Sequence, residues 1–389
     1  MTIKEPRASA RAANDHLSKR AARITAADAL AMYNDLSIHE LGRRAHGVTM
    51  RLHPEPYRTY VVDRNINYAN WCTAKCIFCN FKADPPGTRT RSDLPDGYVL
   101  SYDEIGRKIQ ELIDIGGTQV LMQGGLVPAE ILGFDWYLDL LRFIRSGFPK
   151  IHIHAFSPPE IFAFHQVFGM SIRDVLLRLR DAGLDTIPGG GAEILVDRVR
   201  DIISRGKTRT DEYLEVVRQA HRIGMRTSIT MMFGHIETVA ERIEHLQRVR
   251  DLQDETGGFT AFICWTFQPE NTPLGRFPTR GPDCTDPPDG KHLVLAGAHE
   301  YLKTLSIARL FLDNVANLQA SWVTQGPKVG QLSLFFGAND MGSVMMEENV
   351  VSAAGTIFRL DEPEIRRLIT DAGWQPRKRN CYYELLEPA

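Results

Sequence analysis

Three cysteines lie within one short stretch of the chain, Cys72, Cys76 and Cys79, in the spacing C-x3-C-x2-C. Thiolates are soft ligands, so three of them on one loop can hold three corners of a cubic iron–sulfur cluster. The fourth iron then has no protein ligand and can bind the amino and carboxylate groups of a small molecule. The spacing therefore predicts a [4Fe-4S] cluster with one open iron.

Two plainer uses of these cysteines fit the sequence less well. A structural zinc site normally takes four ligands in two closely spaced pairs, whereas Cys264, Cys284 and Cys381 are isolated and distant. No His-x3-5-His pair follows the loop. A disulfide would leave one of the three thiols unpaired. The spacing therefore favours the open cluster over both.

The composition is that of an ordinary globular protein. The 389 residues carry a formal net charge of −2, whereas a nucleic-acid-binding protein would need a basic surface. No apolar run approaches the length of a membrane span, and the N-terminus lacks the apolar segment of a secretory signal. Six cysteines in so long a chain do not make a disulfide framework. We expect a cytoplasmic protein in a reducing compartment, without a nucleic-acid or membrane partner.

From residue 60 onward, short β-rich runs alternate with amphipathic, helix-like stretches. The β-rich runs occupy residues 60–68, 119–122, 151–156, 184–187, 227–233, 259–267, 318–322 and 332–336. This alternation predicts an α/β fold with a parallel sheet and right-handed crossovers, and eight units match a (β/α)8 barrel of the TIM type. We expect an N-terminal helical extension (1–55), the barrel (56–355), and a C-terminal helix and tail (356–389) packed on it.

Glycine-rich turns follow two of the predicted strands. Gln123, Gly124 and Gly125 follow the second run, where a backbone without β-carbons can approach a ligand closely. Three glycines and Glu193 follow the fourth run, and this carboxylate could pair with the hydroxyls of a bound ribose. The alternatives are a tight strand-to-helix turn and an ordinary carboxylate at a helix start.

Three further polar side chains follow predicted strands, where barrel enzymes carry their chemistry. His235 and Glu237 follow the fifth run, and Asp340 follows the eighth. We expect them to serve as a catalytic base or to bind substrate hydroxyls. The alternatives are a structural histidine and, for Asp340, a turn or a helix cap.

The cysteine loop, with the aromatic Phe78 just before its last cysteine, resembles the signature of the radical S-adenosylmethionine (SAM) superfamily. The pair Gly124-Gly125 resembles that superfamily's glycine motif, whose backbone holds the SAM amino group. Within the superfamily, the chain resembles the menaquinone and deazaflavin biosynthesis group, and most closely the ring-closing synthases of the futalosine route. The segments that carry this resemblance are residues 62–68, 122–126, 189–198, 230–238, 267–272, 321–328 and 337–343.

The resemblance implies a reaction and a set of ligands. A reduced cluster cleaves SAM, and the resulting 5′-deoxyadenosyl radical takes the ribose 4′ hydrogen of dehypoxanthine futalosine, so that a carbon–carbon bond to the benzoate ring can form. A protein such as flavodoxin or ferredoxin would donate the electron. The implied cluster ligands are Cys72, Cys76 and Cys79, and the implied SAM-binding residues are Phe78, Gln123, Gly124, Gly125 and Glu193.

Other activities share parts of this pattern. Aminofutalosine synthase and the deazaflavin-forming synthase have the same cluster and barrel but act on other substrates. A non-catalytic iron–sulfur protein is a hypothesis of another class, and the glycine turns and Glu193 argue against it.

Overall fold

A computed structural model describes residues 23–88, 94–281 and 289–386 of the chain. The predicted N-terminal extension is thus described only from residue 23 onward, and its boundary near residue 55 stays a prediction, as does the boundary near residue 355. Within the described residues, no helix is both long enough and apolar enough to cross a membrane.

Most strands of the described residues belong to one parallel sheet. In chain order the strands are β1 (Tyr57–Val61), β2 (Asp63–Ile66), β3 (Lys75–Cys76), β4 (Gln119–Met122), β5 (His152–Ala155), β6 (Thr186–Ile187), β7 (Ser204–Arg205), β8 (Arg226–Phe233), β9 (Phe259–Thr266), β10 (Asn317–Gln319), β11 (Asp340–Ser343) and β12 (Gln375–Lys378). The sheet has the order β12-β1-β11-β10-β9-β8-β6-β5-β4-β2, and all of its pairings are parallel. β3 and β7 form a separate antiparallel pair.

The sheet curls around because β1 and β2 are one run of chain, interrupted only at Val62. β1 pairs with β11, with Thr59 opposite Asp340, whereas β2 pairs with β4, with Asn65 opposite Leu121. One continuous run of chain thus pairs with β11 through β1 and with β4 through β2. This run brings the two ends of the curled sheet together. This confirms the predicted parallel α/β barrel fold.

Helices cover the outside of the sheet. They are α1 (Ala26–Asp35), α2 (Ile38–Leu52), α3 (Tyr102–Asp114), α4 (Phe134–Gly147), α5 (Pro158–Phe168), α6 (Ile172–Ala182), α7 (Asp197–Ile203), α8 (Thr210–Arg222), α9 (Val239–Thr256), α10 (Ala298–Phe311), α11 (Trp322–Gln325), α12 (Pro327–Ser333) and α13 (Glu362–Asp371). Several begin at a capping box. In this motif the hydroxyl of the residue before the helix accepts the N–H of the third helical residue, and the carboxylate of that third residue accepts the N–H of the residue before the helix. Ser101 with Glu104 opens α3 in this way, and Thr238 with Glu241 opens α9.

The prediction of the last barrel strand was wrong. Residues 332–336 were expected to form it, but α12 runs through Ser333 and turns follow, and the strand β11 begins only at Asp340. Pro327 fixes a helical φ at the first turn of α12, and the run contains no β-branched residue. β11 itself, Asp-Met-Gly-Ser, has weak strand propensity, and its pairing with β1 and β10 holds it in the sheet.

The C-terminal segment closes the amino end of the barrel. β12 extends the sheet by pairing with β1, and Arg379 then pairs with Leu385 in an antiparallel bridge. The turn between them carries Arg379, Cys381 and Tyr383 to the wall of the barrel's interior cavity. The expected tail thus becomes an added strand and a hairpin (residues 375–386, the C-terminal hairpin below).

Candidate active site

A cavity of about 420 Å3 occupies the interior of the barrel. Its wall is made of inward-facing strand residues, the loops at the carboxyl ends of the strands, and the C-terminal hairpin. Because the strands are parallel, those loops meet at one end, the mouth, and the amino ends of the strands form the floor. The volume lies within the range of roughly 300–1,000 Å3 that is typical of small-molecule sites.

The structure brings the three cysteines of the motif together at the mouth. Cys72, Cys76 and Cys79 all line the cavity and are free thiols. Cys76 is fixed by the pairing of β3 with β7, where it lies opposite Ser204, and Sγ of Cys72 accepts the N–H of Leu126 at 3.3 Å. The short strand pair therefore positions Cys76, and the glycine turn after β4 positions Cys72.

The state of these thiols depends on what they bind. Burial raises the pKa of the Cys72 thiol, and it raises that of Cys76 to about 12. Without a bound cation both would stay protonated at neutral pH, whereas coordination to a metal deprotonates a thiol outright. Iron bound by these cysteines would therefore convert their thiols to thiolates.

Gly124 and Gly125 pack directly against the cysteine loop. A β-carbon on Gly125 would lie 2.0 Å from the carbonyl oxygen of Trp71, and one on Gly124 would lie 2.5 Å from the ring of Tyr68. Their N–H groups are already used, since Gly125 donates to Ala69 and Gly124 donates to Glu160. No described residue donates to either carbonyl oxygen, so the two carbonyls remain available to a cationic ligand.

Glu193 lies in the cavity wall within an ion-pair network that the sequence did not reveal. Lys207 Nζ donates to its Oε1 at 2.8 Å, and Arg200 Nη1 lies 3.5 Å from its Oε2. Burial lowers the pKa of Lys207, but the negative charges of Glu193 and Cys76 and the hydrogen bond to Glu193 together hold that pKa above its ordinary value. The backbone of Glu193 has a φ of 38°, a strained conformation for a non-glycine residue that is common at functional sites.

Phe78 and Gln123 both line the cavity as well. The ring centre of Phe78 lies 5.5 Å from Lys207 Nζ, which links the cysteine loop to the Glu193 network through a cation–π contact. Gln123 lies against the glycine turn after β6, where a β-carbon on Gly190 would meet its Nε2 at 2.2 Å. All the predicted SAM-binding residues therefore share one wall with the cysteines.

Glu160 belongs to this wall too, although no prediction included it. Its Oε1 accepts from Tyr68 Oη at 2.5 Å and from Gly124 N at 3.0 Å, and its Oε2 accepts from both the hydroxyl and the N–H of Ser157. Burial raises the pKa of Glu160. The pattern Ser157-Pro-Pro-Glu160 is a capping box after a strand and was the available signal.

The structure places His235 and Glu237 behind the cavity wall and not on it. Both side chains are fully buried, and neither residue lines the cavity. Glu237 accepts from Gly234 N at 2.7 Å, from His235 N at 2.9 Å and from Arg242 Nε at 2.7 Å. These contacts hold the turn at the end of β8 and leave no oxygen directed at a ligand.

Asp340 lies at the floor, at the end opposite to the predicted one. Its Oδ1 and Oδ2 accept from Arg379 Nη2 at 2.9 Å and Nε at 2.6 Å, and Oδ2 also accepts from Thr59 Oγ1. The Arg379 guanidinium lies 3.8 Å from the ring centre of Tyr383. Because β11 begins at Asp340, this side chain anchors the C-terminal hairpin at the amino end of the strands.

Two amides in the cavity wall lack the hydrogen bonds that buried amides normally have. Asn65 on β2 and Gln119 on β4 are both about 95% buried, and Asn65 Oδ1 and Gln119 Oε1 accept from no group. No described residue donates to or accepts from the amide of Asn65, whereas Gln119 Nε2 donates to Asp63 at 3.2 Å. A buried, unpaired polar group costs about 1–3 kcal/mol, so these two amides call for an explanation.

With this geometry established, the sequence can be compared with known proteins. Residues 66–249 match the radical SAM superfamily, and residues 256–389 match the CofH/MqnC C-terminal region. A protein of Halalkalibacterium halodurans named cyclic dehypoxanthine futalosine synthase is 45% identical over 94% of this chain and 92% of its own length. The chain belongs to the radical SAM superfamily. It is therefore an enzyme of that superfamily.

Other relatives of this radical SAM enzyme carry two different names. A cyclic dehypoxanthine futalosine synthase of Streptomyces coelicolor is 41% identical over 94% of the chain and 86% of its own length. A protein of Methanosarcina acetivorans named 5-amino-6-(D-ribitylamino)uracil–L-tyrosine 4-hydroxyphenyl transferase 1 is 40% identical over 85% of the chain and 83% of its own length.

Solved structures share the fold at low sequence identity. The FeFe-hydrogenase maturase HydG from Carboxydothermus hydrogenoformans has a TM-score of 0.68 at 15% identity and covers 96% of this chain and 82% of its own. Methylornithine synthase has a TM-score of 0.66 at 18% identity and covers 94% and 97%. These likenesses concern the fold alone.

Membership in the superfamily implies a [4Fe-4S] cluster and SAM, and the described residues fit both groups. All three thiols line the cavity, and their C-x3-C-x2-C spacing in the sequence suits three ligands of a cubic cluster. Next to them lie two glycine carbonyls without donors, a cradle that any β-carbon would fill. A carboxylate that two cations hold in place completes the polar part of this wall.

Proposed function

We propose that the enzyme cyclises dehypoxanthine futalosine to cyclic dehypoxanthinyl futalosine, a step of menaquinone biosynthesis. The observation that carries the proposal is the 45% identity, over 94% of the chain, to a protein with that named activity. The cavity in the barrel interior below the cysteines supports it, because a radical reaction needs a site that holds its substrate in place.

In this proposal Cys72, Cys76 and Cys79 hold the cluster by three corners and leave the fourth iron to SAM. The carbonyl oxygens of Gly124 and Gly125 accept from the SAM ammonium group. Glu193 binds the ribose hydroxyls of SAM, and Phe78 and Gln123 border the same site. When bound, the reduced cluster and SAM supply a 5′-deoxyadenosyl radical that takes a hydrogen atom from the substrate.

The chain's own contribution is placement. The barrel interior below SAM must hold the substrate with its ribose 4′ hydrogen in van der Waals contact with the adenosyl carbon, because misplacement by even 1 Å slows such reactions strongly. Inward-facing residues of β2, β4, β8 and β9 form that part of the wall. We propose positioning roles for His235, Glu237 and Asp340, since each is saturated by protein contacts away from the cavity.

The test is anaerobic reconstitution of the cluster, reduction, and incubation with SAM and dehypoxanthine futalosine. The expected result is cyclised product together with an equal amount of free 5′-deoxyadenosine. SAM cleavage without cyclised product would reject this substrate, while absence of SAM cleavage from a protein with an intact cluster would reject the radical chemistry itself. In a parallel incubation of SAM with an enolpyruvyl benzoate, incorporation of the adenosyl group into the product would identify an aminofutalosine synthase instead.

A second candidate function comes from the relatives in methanogenic archaea. Their transferase name, at 40% identity over 85% of the chain, fits the same cluster and cavity. Incubation with 5-amino-6-(D-ribitylamino)uracil and tyrosine is therefore the parallel assay. Turnover there, and none with dehypoxanthine futalosine, would replace the first proposal.

The electron must come from outside the protein. We propose a flavodoxin or a ferredoxin as the donor in a reducing cytoplasm. The comparison of such a protein with a chemical reductant in the same assay tests this proposal, because a functional donor should support turnover at low concentration.

A further inference from the structure

The unpaired amides of Asn65 and Gln119 lie on adjacent strands, on the face that lines the cavity. β2 and β4 pair with Asp63 opposite Gln119 and with Asn65 opposite Leu121. All four of these side chains line the cavity, so Asn65 and Gln119 are diagonal neighbours on one face. They lie below Asn67 and Gln123, the residues at the mouth ends of the same two strands, and thus deeper than the SAM site proposed above.

The Asp63 carboxylate in this part of the wall already accepts from Ser343 Oγ and Gln119 Nε2, and Asn65 and Gln119 themselves offer neutral hydrogen bonding. Asn65 Oδ1 and Gln119 Oε1 are buried acceptors without a partner, and no described residue accepts from the Asn65 side-chain N–H groups. A half-turn of the Asn65 amide exchanges its oxygen and nitrogen, so either can face a ligand. The amides therefore fit a ligand group that both donates and accepts, as a hydroxyl does.

Charged ligand groups fit this region poorly. The cations that line the cavity are already paired: Lys82 with Asp84 at 3.0 Å, Lys207 with Glu193 at 2.8 Å, and Arg379 with Asp340 at 2.6 Å. A phosphate at the depth of Asn65 would therefore meet no free cation among the described residues. Hydroxyl groups need none.

We propose that Asn65 and Gln119 form a hydroxyl-binding layer, which holds the pentose hydroxyls of the substrate below SAM. In the bound state the substrate hydroxyls form hydrogen bonds with these unpaired amides. The assignment rests on the proposed function only insofar as the substrate carries a pentose. Both the ribose of dehypoxanthine futalosine and the ribityl chain of the alternative substrate meet that condition.

This layer would determine specificity and would not contribute to folding. A site built to bind a hydroxyl rejects an analogue that lacks it, because its own polar groups are then left unpaired. Stability should not depend on these amides, since replacement of an unpaired buried amide by an apolar group of similar volume removes a penalty. Replacement of an amide that is hydrogen-bonded within the protein should instead lower stability and leave substrate binding unchanged.

The chain offers a matched pair of asparagines for the test. Asn339 is as deeply buried as Asn65, but it accepts from Arg309 and from Leu318 N, donates to Asn317, and does not line the cavity. The experiment compares Asn65→Leu with Asn339→Leu, using the melting temperature, 5′-deoxyadenosine formation from SAM alone, and kcat and KM for the substrate.

We expect Asn65→Leu to keep the melting temperature and the SAM-only cleavage of the unsubstituted protein while KM rises about tenfold, which corresponds to one or two lost hydrogen bonds. Asn339→Leu should lower the melting temperature and leave KM unchanged. A substrate analogue without one pentose hydroxyl should bind the unsubstituted protein more weakly than the full substrate does. The Asn65→Leu protein should bind the full substrate and this analogue equally well.

Two outcomes would overturn the hydroxyl-binding layer while the proposed function stands: an unchanged KM in Asn65→Leu, or a loss of stability like that of Asn339→Leu. Failure of the proposed function would look different, because the unsubstituted protein would then give no cyclised product. In that case the same variants are assayed with the ribitylaminouracil substrate, and an unchanged KM there overturns the layer as well.

Discussion

The mouth and the floor of the barrel are both lined with polar and charged side chains, yet they differ in the bonds those side chains have left to make. At the mouth, no described residue donates to the carbonyl oxygens of Gly124 and Gly125, and the three cysteines are free thiols, of which Cys72 accepts one N–H, from Leu126. At the floor, Arg379 binds Asp340 through two nitrogens, and both side chains are almost completely buried. Groups at the mouth can therefore still bind a ligand, whereas the Arg379–Asp340 pair at the floor has no bond left to make.

The difference shows that polar character alone does not locate a site. His235, Glu237 and Asp340 were predicted to be catalytic because they are polar residues that follow predicted strands, and each is satisfied by other groups of the chain. Asn65 and Gln119 were not singled out, yet both line the cavity and have a buried amide oxygen without a partner among the described residues. Four substitutions can sharpen or break this contrast.

The largest effect is expected at the mouth. Cys76→Ala should remove one of three cluster ligands and abolish both iron binding and SAM cleavage, with the fold retained. The measurement is iron content together with 5′-deoxyadenosine formation after anaerobic reconstitution. The control is Cys264→Ala, a buried cysteine that does not line the cavity and should leave both quantities unchanged. A Cys76→Ala protein that still cleaves SAM would remove the basis for the mouth as the site.

Arg379→Ala should cause the largest loss of stability at the floor. It leaves the Asp340 carboxylate buried without its counter-charge, which typically costs about 3–5 kcal/mol. The free energy of unfolding, from urea titration, is the measurement. Arg379→Lys keeps the charge but not the two parallel hydrogen bonds. Its free energy of unfolding should therefore lie between those of the unsubstituted protein and Arg379→Ala.

The matched control for that substitution is Arg367→Ala, which breaks an exposed ion pair with Asp371 and should cost less than about 1 kcal/mol. Equal losses from Arg379→Ala and Arg367→Ala would mean that the floor is not a saturated, buried anchor.

Glu237 predicts a dependence of stability on pH. Burial raises its pKa, but the charges of His235 and Arg242 and the N–H donors of Gly234 and His235 outweigh burial and bring it to about 2, below the ordinary 4.5. A depressed pKa means that the stabilisation is present above pH 4.5 and is lost as pH falls toward 2. Its size is about 3 kcal/mol at 1.36 kcal/mol per pKa unit.

Unfolding titrations between pH 3 and pH 7 should therefore show Glu237→Gln as destabilised at neutral pH, with a difference that shrinks as the solution becomes acidic. Substitution of the exposed Glu130 by Gln should not alter the profile. If Glu237→Gln lowered kcat at neutral pH while stability was preserved, Glu237 would be a catalytic residue and our placement of it behind the wall would be contradicted.

The smallest effect is expected from Tyr383→Phe. The substitution removes the hydroxyl that accepts from Arg379 Nη2 at 3.2 Å, but it keeps the ring against the guanidinium. A loss of about 1 kcal/mol in the free energy of unfolding is expected, with KM and kcat unchanged. A change in KM with no change in stability would place Tyr383 in contact with the substrate.

Much of the mouth was predictable from the sequence because its features are local. The cysteines lie within one loop, and the turn at Gly124 and Gly125 follows directly from a strand that a short apolar run marks. Such local features can be interpreted without knowledge of the rest of the fold. The alternation of strands and helices likewise gave the barrel, apart from its last strand.

The last strand shows where this reasoning failed. The apolar run at 332–336 resembles a strand more than Asp-Met-Gly-Ser does, yet β11 is the latter, because its neighbours β1 and β10 supply the pairing. The error moved Asp340 from the floor to the mouth. Strand propensity depends on partners that come from distant parts of the chain, and a single sequence does not show them.

The sequence by itself determined the kind of chemistry: three thiols at a fixed spacing, glycines where a backbone must be approached, and a barrel to bring the strand ends together. Only the tertiary structure decided which polar groups are free. The hydrogen bonds of Asp340 and Glu160 join residues that are distant in the sequence and approach one another only in the folded chain. Whether a side chain can bind a ligand depends on whether the fold has already given it a partner.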